Sequence, residues 1–326
     1  MSQSQSFAFD TQTRIPKVRI GVGRAHGKAI LFGEHAVVYG APAISLPVHV
    51  LPVIANATIT TGESTISSEL YRGPAATAPE RLSPVVAAID AGLDFVAPGS
   101  SAHVTIYSDI PYERGLGSSA AVAAAIVSAI ADAAGVRLSP AERFLLIQIA
   151  ERVAHGRPSG MDAHGVVADT VIKFQRPDVT PLIVARPLHV VIGDSGVPGA
   201  TRQAVGSVRE LREKFPAKVE ALVARLAGYA ADAEMQLATG DWASMGENMW
   251  LAHATLAQLG VSSPELDTMV NAAHGAGALG AKMTGGGIGG CVIALAENSA
   301  HAKDIAAALS AAGAANAWST WVEASK

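Results

Sequence analysis

Cysteine is almost missing from this chain: its 326 residues hold one, Cys291. That excludes an intrachain disulfide framework and any metal site built from several thiolates. Charge is also scarce, at 16% of residues, and aromatics make up only 5%, against 49% hydrophobic residues. Low charge with many alanines and glycines points to tightly packed, Ala-rich helices rather than disorder. There is no basic excess: 24 Lys and Arg stand against 28 Asp and Glu, a net charge of -4. A general polyanion-binding surface is thereby excluded, so no nucleic-acid partner is expected, although a small basic site for one phosphate ligand is not. Long hydrophobic runs are missing too. The longest, around Ala120 to Ala131, is too short and too Ala-rich to span a bilayer. Met1 to Asp10 is polar and lacks the basic-then-apolar order of a secretory leader. A cytoplasmic chain without a membrane partner is the expectation. Its length suffices for a large core in one or two domains.

What is present centres on Pro111-Tyr112-Glu113-Arg114-Gly115-Leu116-Gly117-Ser118-Ser119-Ala120. The alternating segment Ala102 to Ser108 before it reads as a strand. The Ala/Ile/Val-rich segment Ala120 to Ala134 after it reads as a helix closed by Gly135. Gly115 and Gly117 let a ligand approach the backbone. Ser118 and Ser119 fall at the helix N-terminus, where unpaired N–H groups and the macrodipole favour an anion. On these residues alone, a capped helix after a glycine turn and a phosphate cradle are both open.

Taken in order, residues 1–15 read as a polar arm and Val18 to Val22 as the start of a strand. Gly23 to Gly40 then crowds Gly, Lys, Glu and His between apolar residues. A Walker A loop fails there, because Val22 stands where Gly is needed and Ala29 follows Lys28 where Ser or Thr is needed. Lys28 is thus either a catalytic cation or a solvated lysine. Residues 42–61 are β-rich, 62–83 read as loop, and Pro84 to Phe95 as helix. Ser139-Pro140-Ala141-Glu142 has the cap, the first-turn proline and the box glutamate of a helix start. That helix runs to about His155, with Gly156 as its stop. Glu151 lies near its C-terminal end, where a carboxylate opposes the dipole. Asp162 sits in a Gly/Pro-rich turn, a common place for aspartate. Val171 to Phe174, Leu182 to Val184 and Leu188 to Gly193 read as strands. Residues 201–276 read as four helices, starting near Thr201, Ala217, Trp242 and Ser263. A return to β/α follows: a strand over Ala281 to Thr284, the run Gly285 to Gly290, a strand over Cys291 to Leu295, a helix over Ser299 to Ala312 and a last strand over Ala317 to Val322. The change of character divides the chain into 1–190 and 191–326.

Two glycine patterns match dinucleotide-binding fingerprints, Gly115-x-Gly117-x-x-Ala120 and Gly285-x-Gly287-x-x-Gly290. Context rejects both. The first has no acidic residue at the end of a following strand, and the second runs into a strand rather than a helix. Two distant glycine loops, one lysine and two acids fit phosphate and metal handling better.

Together these segments resemble the GHMP family of small-molecule kinases. Gly27 to Gly40 resembles the family's first motif, Pro111 to Ala120 its nucleotide phosphate loop, and Lys282-Met283-Thr284-Gly285-Gly286-Gly287-Ile288-Gly289-Gly290-Cys291 its third motif. His155 to Asp162 resembles the segment with the family's catalytic aspartate. Glu34-His35-Ala36-Val37-Val38 makes the first motif most similar to that of the mevalonate kinases. The sequence departs from the family at three places: Ala25-His26-Gly27-Lys28 replaces Ala-Pro-Gly-Lys, Gly286 stands where Ala is usual, and Ile288 stands where Gly is usual.

The resemblance implies a two-domain α/β (α+β) fold. Its N-terminal domain would be ribosomal-protein-S5-like and its C-terminal domain ferredoxin-like, with ATP and acceptor between them. It implies phosphorylation of the C5 hydroxyl of (R)-mevalonate, with Mg²⁺ as cofactor and ATP and mevalonate as small-molecule partners, and it leaves room for a homodimer. Asp162 would be the base and Lys28 the cation beside it. Ser119 and Glu151 would hold the metal. Pro111, Arg114, Gly115, Leu116, Gly117, Ser118, Ser119 and Ala120 would form the ATP site. Glu34, His35, Thr201, Gly285 and Gly286 would lie at the acceptor. The alternatives are phosphomevalonate, homoserine or galactose kinase, the related diphosphomevalonate decarboxylase, and a non-catalytic ligand-sensing relative. Retention of Lys28, Ser119, Glu151 and Asp162 argues against the last.

Overall fold

Alternation along the first strand sets up the first sheet. In β1 (Ile20–Phe32) every second residue is buried up to His26, and from Lys28 onward the strand is wholly inside. The computed structural model describes residues 19–156 and 158–325, so the arm expected over residues 1–15, and Val18, lie outside the described residues. β1 pairs antiparallel along β2 (Ala43–Thr60), with a register shift between His26 and Gly27. A hairpin of β3 (Thr65–Ser67) and β4 (Arg72–Pro74) follows, then β5 (Ser101–Ser108), β6 (Ile172–Gln175) and β7 (Asp178–Pro181). The sheet order is β4-β3-β5-β2-β6-β7, with β1 also on β2.

One face of this sheet carries Ala-rich helices: α1 (Ser83–Val96), α2 (Ser118–Ala133) and α3 (Pro140–His155), with the short α4 (Met161–Gly165) after them. The packing of α2 on β1 explains the small residues on both. A Cβ on Gly23 would lie 1.9 Å from the Ala125 carbonyl oxygen. Only glycine against alanine allows backbone layers that close, and dispersion contacts accumulate with such closeness.

The second sheet is antiparallel, in the order β11-β8-β10-β9: β8 (Leu188–Asp194), β9 (Gly280–Thr284), β10 (Cys291–Ala296) and β11 (Asn316–Val322). Between β8 and β9 run α5 (Thr201–Lys214), α6 (Pro216–Thr239), α7 (Trp242–Gln258) and α8 (Pro264–Gly275); α9 (Ser299–Ala311) joins β10 to β11. A division after residue 190 falls inside β8, and we propose that the second domain begins at Leu188, where this sheet does.

Three local expectations change. Residues 62–83 contain β3 and β4 rather than loop alone, since Ile66 is buried and pairs alongside β5. β7 lies outside the expected strands. It is largely exposed and ends in Pro181, as an edge strand can. Leu182 to Val184 is not a strand. Leu182 and Val184 are buried, but no ladder holds them: Leu182 N–H donates to the Val171 carbonyl, and Val184 meets only Ser325, whose hydroxyl accepts from its N–H and whose N–H donates to its carbonyl. Apolar alternation there reflects a buried crossover between the sheets.

Candidate active site

β1 and β9 bring the two sheets together. The Thr284 hydroxyl accepts from Ile30 N–H at 2.8 Å and donates to the Ile30 carbonyl at 3.0 Å.

Lys28 follows the β1 register shift, and its N–H donates to the Leu116 carbonyl, which ties the strand to the phosphate loop. Its side chain is only 3% exposed, with Nζ 2.9 Å from Asp162 Oδ1 and 3.1 Å from the Gly115 carbonyl. Asp162 stands in the first turn of α4, which begins after Gly160 at a φ of 95°. Its side chain is 34% exposed. The cation is sealed and the carboxylate is reachable. The family's proline before Gly27 is His26 here, and His26 N–H donates to the Val166 carbonyl at 3.1 Å, a bond that proline cannot make.

Glu151 lies in the last turn of α3, as its capping box and Gly156 stop require. Its carboxyl is buried. Burial pushes it above the usual carboxylate range, and the charge of Asp162 adds to that. Oε2 lies 3.8 Å from His155 Nε2, and Oε1 has no partner among the described residues. The Ser119 hydroxyl, in the first turn of α2, is also buried without a hydrogen-bond partner among the described residues. Buried polar atoms are normally paired. Two orphaned oxygens, one from a hydroxyl and one from a carboxylate, suit a hard cation that takes its remaining ligands from phosphate and water. They fit magnesium.

In the phosphate loop, Gly115 and Gly117 have φ values of 75° and 78°, and Gly117 precedes α2 directly. Ser118 opens the helix. Leu116 and Ala120 are buried, so they line the loop and offer only backbone to a ligand. Arg114 is committed to the second domain. Its Nε donates to Asp194 Oδ1 at 2.7 Å and its guanidinium also to the Gly196 carbonyl at 3.0 Å. It braces the phosphate loop against the second domain.

A second cluster joins the first and third motifs. The Glu34 carboxylate is paired with Lys282 Nζ, and both side chains are fully buried. Lys282 also donates to the Met283 carbonyl at 2.8 Å, while Glu34 Oε2 has no partner among the described residues. Burial pushes the Glu34 carboxyl up and the Lys282 ammonium down, each against the attraction of the other. Such a pair gives little net stability, yet removing one partner costs about 3–5 kcal/mol. His35 has a φ of 61°, rare for a residue with a side chain. Its Nε2 lies 2.8 Å from the Gly286 carbonyl, and burial lowers its pKa. A carbonyl only accepts, so Nε2 carries the hydrogen, and the neutral ring leaves Nδ1 as an acceptor.

Gly286 also meets Thr201, the first residue of α5. A Cβ there would lie 2.4 Å from the Thr201 hydroxyl oxygen. The glycine at this family-alanine position thus lets α5 close in. A Cβ on Gly285 would lie 3.4 Å from the Gly115 Cα, so the two glycine loops lie side by side. Ile288, where the family has glycine, sits at a φ of 54°.

Of the residues singled out from sequence, Lys28, Asp162, Gly115 and Gly285 converge by these contacts, as do Glu34, His35, Gly286 and Thr201. Pro111 and Tyr112 flank the loop. Lys282 was quoted only within a motif. The missed signal is a lysine inside the all-buried strand Gly280–Thr284, which requires a buried carboxylate partner.

The family models for GHMP kinases, N terminal domain and C terminal, match residues 83–168 and 233–315. The mevalonate kinase of Thermococcus sibiricus is 33% identical over 310 residues, which cover 89% of this chain and 92% of that one. That of Aeropyrum pernix is 34% identical over 287 residues, covering 83% and 87%. Among solved structures, L. major mevalonate kinase in complex with R-mevalonate superposes with a TM-score of 0.83 at 27% identity, covering 94% of this chain and 96% of that one. This chain belongs to the GHMP kinase family and, within it, to the mevalonate kinases.

Proposed function

We propose that the cleft transfers the γ-phosphoryl group of ATP to the C5 hydroxyl of (R)-mevalonate, giving 5-phosphomevalonate and ADP. The observation that carries this reading is the Lys28–Asp162 pair, with its cation sealed and its carboxylate reachable, beside a glycine loop that opens a helix. Phosphoryl transfer asks a protein mainly for placement and charge neutralisation. Asp162 accepts the proton of the acceptor hydroxyl, and Lys28 Nζ stabilises the oxygen as it becomes negative. Backbone N–H groups of Gly115 to Ala120, with the Ser118 hydroxyl, cradle the phosphates. Ser119 and Glu151 would hold Mg²⁺, which supplies charge neutralisation of the phosphate oxygens when bound. His35 Nδ1 accepts a hydrogen bond from a second hydroxyl of the acceptor. Thr201 and the backbone of Gly285 and Gly286 complete that end. Use of ATP fits a cytoplasmic enzyme.

The glycine at position 286 makes acceptor preference the part of this reading most worth testing. A coupled ADP-release assay with Mg-ATP against mevalonate, phosphomevalonate, homoserine and galactose tests it. Mevalonate-dependent ADP release is the expected outcome. Turnover of homoserine or galactose with none of mevalonate would replace the assignment, and ATP binding without turnover of any acceptor would make the chain a sensor.

A further inference from the structure

We propose that Lys282 is a positioning residue for the phosphoryl acceptor: acting through Glu34, it holds His35 against the third glycine loop with Nδ1 left as the hydrogen-bond acceptor. The inference rests on the reading of the cleft as a kinase site and goes beyond it by giving a role to a residue that touches neither substrate.

Three observations carry it. First, the pair spans the two domains. Glu34 follows β1 of the first sheet, and Lys282 lies in the middle of β9 of the second. Second, the residue next to Glu34 is the strained one. His35 holds a φ of 61° with a ψ of -41°, a conformation that a residue with a side chain rarely adopts and that needs restraint from its surroundings. The restraint comes from two sides, the Glu34–Lys282 pair before it and the Gly286 carbonyl on its own ring. Third, a fully buried ion pair is a poor source of stability, so its placement is better explained by orientation. Glu34 Oε2, buried and unpartnered, shows that the pair is not arranged to satisfy every polar atom. Lys282 spends a second hydrogen on the Met283 carbonyl, which fixes the ammonium in one place on β9. Glu34 therefore has a stationary partner, and His35 inherits a stationary backbone. The same strand carries Thr284, whose hydroxyl grips Ile30 on β1. β9 is thus locked to the first domain on both sides of Met283.

Two readouts on the full-length protein test this. In ¹⁵N-histidine-labelled wild type, the ring signals of His35, assigned by their loss in His35→Asn, belong to one neutral Nε2–H form that persists from about pH 6 to 8. In Lys282→Met they move toward the averaged values of a free ring. In kinetics, Lys282→Met raises the acceptor KM about tenfold or more while kcat and the KM for Mg-ATP stay within about threefold. Glu34→Gln, which keeps the side-chain shape, gives the same two results and serves where Lys282→Met does not fold. The double variant Glu34→Gln/Lys282→Met recovers Tm, because no lone charge remains buried, but recovers neither the His35 signal nor the acceptor KM. Unchanged His35 signals in both single variants overturn the proposal, as does recovery of the His35 signal and KM together with Tm in the double. The ring signals need no substrate. If wild type uses an acceptor other than mevalonate, the functional reading fails and this inference is judged on the ring signals and on the KM of that acceptor.

Discussion

Lys28–Asp162 and Lys282–Glu34 are both lysine–carboxylate pairs, set in two surroundings. In the first the lysine is buried and the aspartate side chain is about one-third open. In the second both partners are sealed. A carboxylate that must take a proton from a substrate has to be reached by it, so only Asp162 can serve as a base. Glu34 is closed off by its own partner and can act only on its neighbours. Nearby, the orphaned Ser119 and Glu151 oxygens contrast with Arg114, whose donors are engaged across the domain boundary. The Arg114 contacts brace the phosphate loop against the second domain, whereas the Ser119 and Glu151 oxygens remain available.

The contrast can be broken from its strongest side first. Asp162→Asn keeps the size of the side chain and removes its proton-accepting charge. It is expected to lower kcat by about 10² to 10⁴ while ATP binding, followed by equilibrium titration, stays near wild type. Next, Glu151→Gln removes the charge of one of the two groups assigned to magnesium. The Mg²⁺ concentration for half-maximal turnover is expected to rise about tenfold, a typical loss for a weakened metal site. Unchanged Mg²⁺ dependence would remove Glu151 from that assignment. The smallest effect concerns pH. His26, His35, His164 and His253 all have pKa values lowered by burial. The unfolded chain therefore binds more protons below its ordinary histidine value of 6.5, and stability falls as pH drops through that value. Thermal melts at about pH 7.5 and 5.5 are expected to show a lower Tm in acid, with a shallower dependence in His35→Asn. Equal slopes would mean that His35 is not held neutral.

Much of this molecule was legible where local chemistry decides structure. The Ser139–Glu142 capping box and Pro140 mark the start of α3, and Gly156 its end, because the cap satisfies N–H groups that no distant residue can. The start of α8 was legible for the same reason, through its Ser263 cap, whereas α5 and α6 begin without a side-chain cap. The short strands β3, β4 and β7 were not, because three or four residues carry no readable period, and their pairing is decided by β5 and β6. Leu182 to Val184 shows the converse: an apolar alternation buried by tertiary packing without a ladder. At the site, Lys28, Asp162, Ser119 and Glu151 were legible from motif resemblance. The Arg114 and Lys282 partnerships were not, since Asp194 lies 80 residues from the first and Glu34 lies 248 residues from the second. No local pattern encodes pairs at that separation.

The most direct test of the account measures kcat and acceptor KM side by side in Asp162→Asn and Glu34→Gln, with mevalonate and saturating Mg-ATP. The account predicts that the open pair controls kcat and the sealed pair controls KM: Asp162→Asn nearly abolishes turnover, and Glu34→Gln keeps kcat with a raised acceptor KM. Equal losses of kcat in the two variants, or near-normal turnover in Asp162→Asn, would contradict it.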